Sequence, residues 1–293
     1  MKILNIIKYK FVFLVISGTL LVASVAAVGY FGLKPGIDFS GGVAWQLQFT
    51  EKVPTREELA SLFPSSIVTP QDGGQFLIRM QELIDADRQK SFDSLEKSYG
   101  PIEELQFQNI GPAVGEDLKQ KAIWAFALVL LAISLYVAFA FRKVSKPVSS
   151  WKYGIITLVT LFHDALIPAG LFAVLGHFFH LEVDTNFVVA ILVVIGFSVH
   201  DTIVVFDRIR ENLRLSGGDK ADFNGLVNTS INQTLARSIN TSLTLILTLI
   251  ALYFLGPATL QYFILMILVG TAFGTYSSIF VASPLLTLWR GKA

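Results

Sequence analysis

Six apolar runs, each about as long as a bilayer is thick, decide most of what this chain can become. A helix crossing hydrocarbon needs roughly 20 predominantly apolar residues. The runs are Phe11–Gly32, Ala122–Phe141, Tyr153–Leu175, Phe187–Phe206, roughly Asn228–Leu255, and Leu260–Val281. The first begins like a secretory signal, behind Lys2, Lys8 and Lys10 and with Ser24-Val25-Ala26 as a small-residue site. Its apolar stretch exceeds the roughly 7–15 residues of a signal core, so it is read as an uncleaved helix. Composition agrees: 53% of the 293 residues are hydrophobic and only 15% are charged, where soluble domains carry about 25%. The absence of cysteine removes disulfides, thiolate metal sites and Cys nucleophiles. A net charge of +1 offers no basic surface for nucleic acid, and His163, His177, His180 and His200 show no metal-ligand spacing.

The 45 charges are placed unevenly. Residues 34–121 hold 23 of them, nine basic and fourteen acidic, and read as a water-soluble insert between the first two spans. The expected division is 1–33 (N-terminus and first span), 34–121 (external domain) and 122–293 (five further spans with their loops). Lys and Arg concentrate in the N-terminus, in the 142–152 loop (Arg142, Lys143, Lys146, Lys152), in the 207–237 region and in the tail (Arg290, Lys292). The opposite loops, 176–186 and 256–259, carry none. Positive charge stays on the cytoplasmic side, so both termini are expected there and the insert outside.

The insert has readable order. Val43–Phe49 alternates as a strand, and Thr55-Arg56-Glu57-Glu58 is a capping box opening a helix to Leu62. Ser66–Thr69 and Gln75–Met80 read as strands around Asp72-Gly73-Gly74, a hairpin signal. Asp85–Tyr99 reads as an amphipathic helix closed by Gly100-Pro101, before a last strand over Ile102–Gln108. The order β-α-β-β-α-β is ferredoxin-like. The expected fold is an α-helical membrane protein: six transmembrane helices with one external α+β ferredoxin-like domain between helices 1 and 2. The insert contains no catalytic set, and no cofactor or metal is expected.

Charge inside a membrane costs a few kcal/mol and asks for a reason. The candidates are His163 with Asp164 in the third span, His200 with Asp201 in the fourth, and Arg237 in the fifth. Asp201 lies about five residues, or ~7 Å, past the middle of its span, too deep for its short side chain to reach water. The fifth span carries Gln233, Arg237, Asn240, Thr241, Thr244 and Thr248 at helical spacing, a polar face expected to point into the bundle. By depth, Arg237 is the natural partner of Asp201. A carboxylate whose proton affinity depends on a moving arginine couples proton passage to conformation. The same residues admit a structural reading, in which an Asp–Arg pair fixes helix register or Arg237 snorkels to the interface. His163 and Asp164 admit a packing role equally. Gly270-x-x-x-Gly274 with Ser278 supplies a small-residue face for close helix packing, although glycine is frequent in such helices anyway.

Several segments together resemble one family. Gly36-Ile37-Asp38-Phe39-Ser40-Gly41-Gly42 resembles the GxDFxGG signature of the SecD/SecF protein-export subunits, and Asn109-Ile110-Gly111-Pro112-Ala113-Val114-Gly115 their VGPxVG element. Residues 200–212 are similar to the fourth-span motif NDTIVVFDRIREN, and residues 230–242 to the fifth-span motif SxxQTLxRTxxTS. Size and the small insert resemble the SecF side of the family. The resemblance implies a non-enzymatic subunit of the Sec preprotein translocase, within the resistance-nodulation-division superfamily, in the bacterial inner membrane. It implies use of the proton-motive force to promote late stages of export through motion of the periplasmic domain. The implied partners are a SecD-like subunit, the SecYEG channel, the translocating preprotein, protons and membrane lipids. The implied proton relay falls on Asp201 and Arg237, joined by His200, which stands where the family usually has Asn and is expected to tune Asp201 by charge or hydrogen bonding. Gln233, Asn240, Thr241, His163 and Asp164 are supporting polar candidates, and Gly36, Asp38, Phe39, Gly41 and Gly42 form a periplasmic hinge. Two rivals stay open: a proton-coupled small-molecule or lipid exporter of the same superfamily, and a non-energised translocase scaffold.

Overall fold

The computed structural model describes residues 4–81, 85–142, 148–216 and 222–289. Lys2, Lys143, Lys146, Lys220, Arg290 and Lys292, which enter the charge count that orients the spans, lie outside the described residues. A 3-10 turn (Ile7–Tyr9) leads into α1 (Lys10–Phe31). The insert follows as α2 (Ile37–Ser40), β1 (Gly42–Phe49), α3 (Arg56–Leu62), β2 (Ile67–Gln71), β3 (Gln75–Met80), α4 (Asp85–Tyr99) and β4 (Ile102–Ile110). Then come α5 (Pro112–Ala140), α6 (Ser150–Phe179), α7 (Thr185–Leu215), α8 (Phe223–Leu255) and α9 (Gln261–Ser277). A π-helical turn (Ser278–Ala282) continues α9 into α10 (Ser283–Leu288). Among the described residues, six helices are long and apolar enough to cross a membrane.

The helices outrun the apolar runs that announce them. Helix α5 begins at Pro112, ten residues before the first apolar stretch of that span. Proline suits a first helical position. The polar turns that follow carry Lys119–Glu116 at 3.2 Å and Lys121–Asp117 at 2.7 Å, i,i+3 and i,i+4 pairs that support a solvated helix. Hydropathy marks the length that suits hydrocarbon, whereas helix length follows backbone bonding.

The chain divides into two units. One comprises Pro35–Ile123 together with Glu182–Thr185. Its four strands form one antiparallel sheet in the order β2-β3-β1-β4, the ferredoxin-like arrangement. Alternate residues of β1 (Val43, Trp45, Leu47, Phe49) point to one face and are buried against Leu59 of α3 and Leu95 of α4. Trp45 directs its indole Nε1–H to Glu104 Oε2 at 2.7 Å, so its polar edge is satisfied while the ring fills the core. The capping box forms at α3: Glu58 N–H donates to Thr55 Oγ1, and Thr55 N–H donates to Glu58 Oε2.

The second unit, Met1–Lys34, Trp124–Leu181 and Asn186–Ala293, is the helical bundle. Small residues set its closest helix contacts. A Cβ on Gly170 of α6 would lie 2.6 Å from Ser24 Cα of α1, and one on Gly154 would lie 2.6 Å from the Ser134 carbonyl oxygen of α5. Gly270 and Gly274 of α9 face Val194 and Ser198 of α7, leaving no room for a side chain at Gly270. Without a hydrophobic driving force between helices in lipid, such close backbone approach is what holds spans together. At one end, Phe141 stacks on Tyr153 at 4.9 Å, with Phe206 edge-on to both. The N-terminal segment is tied there by α8: Asn228 and Asn232 amides donate to the Leu4 carbonyl, and Leu4 and Ile7 N–H donate to their side-chain oxygens.

Candidate functional site

Asp201 points into the bundle from α7 and is 1% exposed. Its carboxylate is surrounded by hydroxyls, with a histidine further off. Ser242 Oγ of α8 lies 3.3 Å from Asp201 Oδ2, and Ser242 Oγ in turn lies 2.5 Å from Thr275 Oγ1 of α9. His200 Nδ1 is 3.8 Å from Asp201 Oδ1, on a side chain 60% exposed at the bundle surface. Both hydroxyls also have a backbone acceptor within reach: Ser242 Oγ is 2.7 Å from the Ser238 carbonyl, and Thr275 Oγ1 is 3.0 Å from that of Thr271. A hydroxyl both donates and accepts, so this shell accommodates a charged or a neutral carboxyl without moving a helix.

Asp164 occupies a comparable place on α6 and is fully buried. Its Oδ2 accepts from Ser198 of α7 in a short bond and from Ser277 of α9 at 2.6 Å. His163 Nδ1 lies 2.8 Å from Asp164 Oδ1, and among the described residues its buried Nε2 has no hydrogen-bond partner.

The polar face of α8 does not point into the bundle, contrary to the expectation from its spacing. Ser230, Thr234, Ser238 and Ser242 point inward, while Gln233, Arg237, Asn240, Thr244 and Thr248 are exposed and Thr241 is half-buried. The reason is size and self-sufficiency. Ser230 and Thr234 donate back to the carbonyls of Leu226 and Ser230 on their own helix, and Ser242 has the Ser238 carbonyl within reach, which lets them enter a tight interface. A guanidinium needs external partners. Arg237 therefore makes no ion pair with Asp201; it lines an open cleft of 570 Å³ with Ile203, Val204, Asp207, Arg208, Glu211, Gln233 and Thr234. Beside that cleft, Arg208 Nε donates to Gln233 Oε1 at 2.6 Å, and the Asn212 amide donates to Gln233 Oε1 and Ser230 Oγ at 2.8 Å. Gln233 thus works as a clamp between α7 and α8.

The Gly36–Gly42 segment is built against two others of its own unit. Gly36 N–H donates to the Val183 carbonyl at 2.8 Å, and Pro35 bridges Val183 in parallel. Asp38 Oδ2 accepts from Thr185 N–H at 2.8 Å, the first residue of α7, so it supplies the cap and the negative charge that a helix start favours. Phe39 is buried. Gly41 and Gly42 have φ of +75° and +127°. A Cβ on Gly41 would lie 2.8 Å from Pro112 Cα, and one on Gly115 would lie 2.7 Å from Gly41 N. The two glycine-bearing motifs, distant in sequence, therefore meet backbone to backbone. Replacing Asp38 by alanine is expected to orphan the Thr185 N–H, costing the first turn of α7 about 1 kcal/mol. Hydrogen exchange should quicken at residues 185–188, and Asp38→Asn, which keeps an acceptor oxygen, should restore most of the protection. Unchanged exchange in the alanine variant would count against the cap.

Sequence reasoning singled out both carboxylates but missed Ser198, Ser242, Thr275 and Ser277, which hold them. One signal was available: Ser230, Thr234, Ser238 and Ser242 recur every four residues on α8, the spacing of one helical row.

Several known proteins are similar to this chain. The family described as Protein export membrane protein SecD/SecF, C-terminal, matches residues 90–292. Protein translocase subunit SecF of Thermobaculum terrenum is 42% identical over 305 residues, covering 99% of this chain and 95% of that one. SecF of Anaerolinea thermophila is 36% identical, covering 98% of this chain and 94% of its own. A crystal structure of SecDF, a translocon-associated membrane protein from Thermus thermophilus, superposes with a TM-score of 0.84 at 34% identity. That match covers 98% of this chain and 38% of the SecDF chain, so the present chain spans well under half of the SecDF length. The chain belongs to the SecD/SecF family of protein export membrane proteins and is matched along nearly its whole length by SecF subunits.

Proposed function

We propose that the chain is an accessory subunit of the Sec translocase that uses the proton-motive force to promote late stages of protein export. In this reading it lies in the bacterial inner membrane with both termini cytoplasmic, and its ferredoxin-like unit is periplasmic and moves during the cycle. It works beside the SecYEG channel on a translocating preprotein, among membrane lipids. The observation that carries the reading is Asp201: a carboxylate 1% exposed in a spanning helix, held by reversible hydroxyls and without an ion pair to Arg, among the described residues. A buried acid in such a shell serves transport better than stability, because a structural charge would be paired. Each proton descending a 100 mV potential releases about 2.3 kcal/mol, enough to bias a conformational equilibrium substantially.

The exposed face of α8 supports a SecD-like partner. Arg237, Asn240, Thr244 and Thr248 point out of this unit at membrane depth, where polar groups are costly against lipid. A second helical half laid on that face would cover them and bring Arg237 to a carboxylate of its own. Inverted membrane vesicles prepared with and without this chain test the reading. After the ATP-driven step is stopped, a proton-motive force should complete translocation of a trapped preprotein only where the chain is present. Equal completion in its absence would contradict it.

A further inference from the structure

Asp164 is a second buried acid, and Asp201 alone does not account for it. It sits near the middle of α6 with 0% exposure, and its three polar contacts come from three sources: His163 on its own helix, Ser198 on α7 and Ser277 on α9. The two helices that supply its hydroxyls also build the Asp201 shell. Ser198 is one helical turn from Asp201 on α7, and Ser277 is two residues from Thr275 on α9. We infer that Asp164 and Asp201 are successive proton stations on one path through the bundle, Asp164 lying toward the Thr185 end of α7. The inference rests on the proton-driven reading above and deepens it.

The shell of Asp164 suits a group that changes protonation state. When the carboxyl is ionised, Ser198, Ser277 and His163 Nδ1–H all donate to it. When it is protonated, its O–H needs an acceptor, and Ser277 can provide one by turning its own proton to the Gly274 carbonyl, 3.1 Å from its Oγ. Ser242 and Thr275 have the same alternative beside Asp201, in the carbonyls of Ser238 and Thr271. The hydroxyls keep their own protons and only reorient, so each carboxyl takes up or releases one proton and no net charge is left on a serine or threonine. The titratable neighbours are few. From α6, His163 touches Asp164; from α7, Asp201 and His200 lie one turn along; the α9 groups in contact are hydroxyls. A purely structural acid would have a fixed partner, such as arginine, which cannot give up its proton.

The test compares wild type, Asp164→Asn and Asp201→Asn, each purified with its SecD-like partner and returned to vesicles. Export driven by the proton-motive force and the infrared spectrum of carboxylic C=O groups across a pH titration are both read. Asp164→Asn is expected to assemble, lose driven export, and lose one titrating carboxyl band that Asp201→Asn retains. Ser277→Ala leaves the carboxyl in place and is expected to move the pH midpoint of that band, which keeps the inference testable should Asp164→Asn fail to assemble. Normal driven export by Asp164→Asn, or a band pattern unchanged by it, would overturn the second station. Normal driven export by both aspartate variants would overturn the proton-driven reading itself.

Discussion

Asp201→Asn is expected to abolish export driven by the proton-motive force while leaving the subunit assembled with its partner. Asparagine matches aspartate in shape, and its side-chain oxygen can still accept from Ser242 across 3.3 Å. What it cannot do is take up and release a proton. Because the Asp201 shell contains hydroxyls in place of a cation, neutralising the group strands no buried positive charge, the penalty that usually makes such a change destabilising. Co-purification of the SecD-like chain should therefore match wild type while driven export falls to the level without a gradient. Arg237→Ala is expected to lose driven export as well, by a separate route. It removes the cation of the exposed α8 face, so its defect should come with weaker retention of the partner. Variants that fail in the same way on both readouts would argue against separate roles.

The second large effect is expected at Gly41. Its φ of +75° with ψ of 168° lies in a region that essentially only glycine occupies, and enforcing it on alanine costs about 1–3 kcal/mol. The new methyl group would also fall 2.8 Å from Pro112 Cα and 2.9 Å from Pro112 N, an overpacking that adds about 1–3 kcal/mol where backbone cannot yield. Gly41→Ala should therefore separate the segment leaving α1 from the segment entering α5. Limited proteolysis would show it as faster cleavage within residues 35–123. Gly73→Ala is the milder comparison: its φ of 73° with ψ of 25° lies in the left-handed helical region and nothing lies within 4 Å of its Cβ position, so it should show a smaller conformational penalty and no clash.

The insert was legible almost residue by residue, because its signals are local. The Thr55–Glu58 box, the Asp72-Gly73-Gly74 turn and the alternation of Val43 to Phe49 each act within a few residues, and all appear where the pattern puts them. The spans were legible as spans, since apolar length alone identifies them. Their rotation was not. On α8 the large polar side chains suggested the inward face, yet hydroxyls that bond their own helix take that place and Arg237 turns outward. Hydropathy cannot tell a face meant for the bundle from one left for a partner, because both avoid lipid. The seat of Gly36–Gly42 was equally hidden: its glycines announce tight turns but not what they meet, and Val183, Thr185 and Pro112 hold the segment through backbone groups that no side-chain pattern reports.

In the proposed function, protons cross through the bundle by way of Asp201 as export proceeds. The direct measurement is proton entry into vesicles containing the purified complex with its SecD-like partner, followed with a pH-sensitive dye under an imposed gradient. Wild type should show proton flux that rises when a preprotein is being translocated, and Asp201→Asn should show only the leak of protein-free vesicles. Flux through Asp201→Asn equal to wild type would contradict the account.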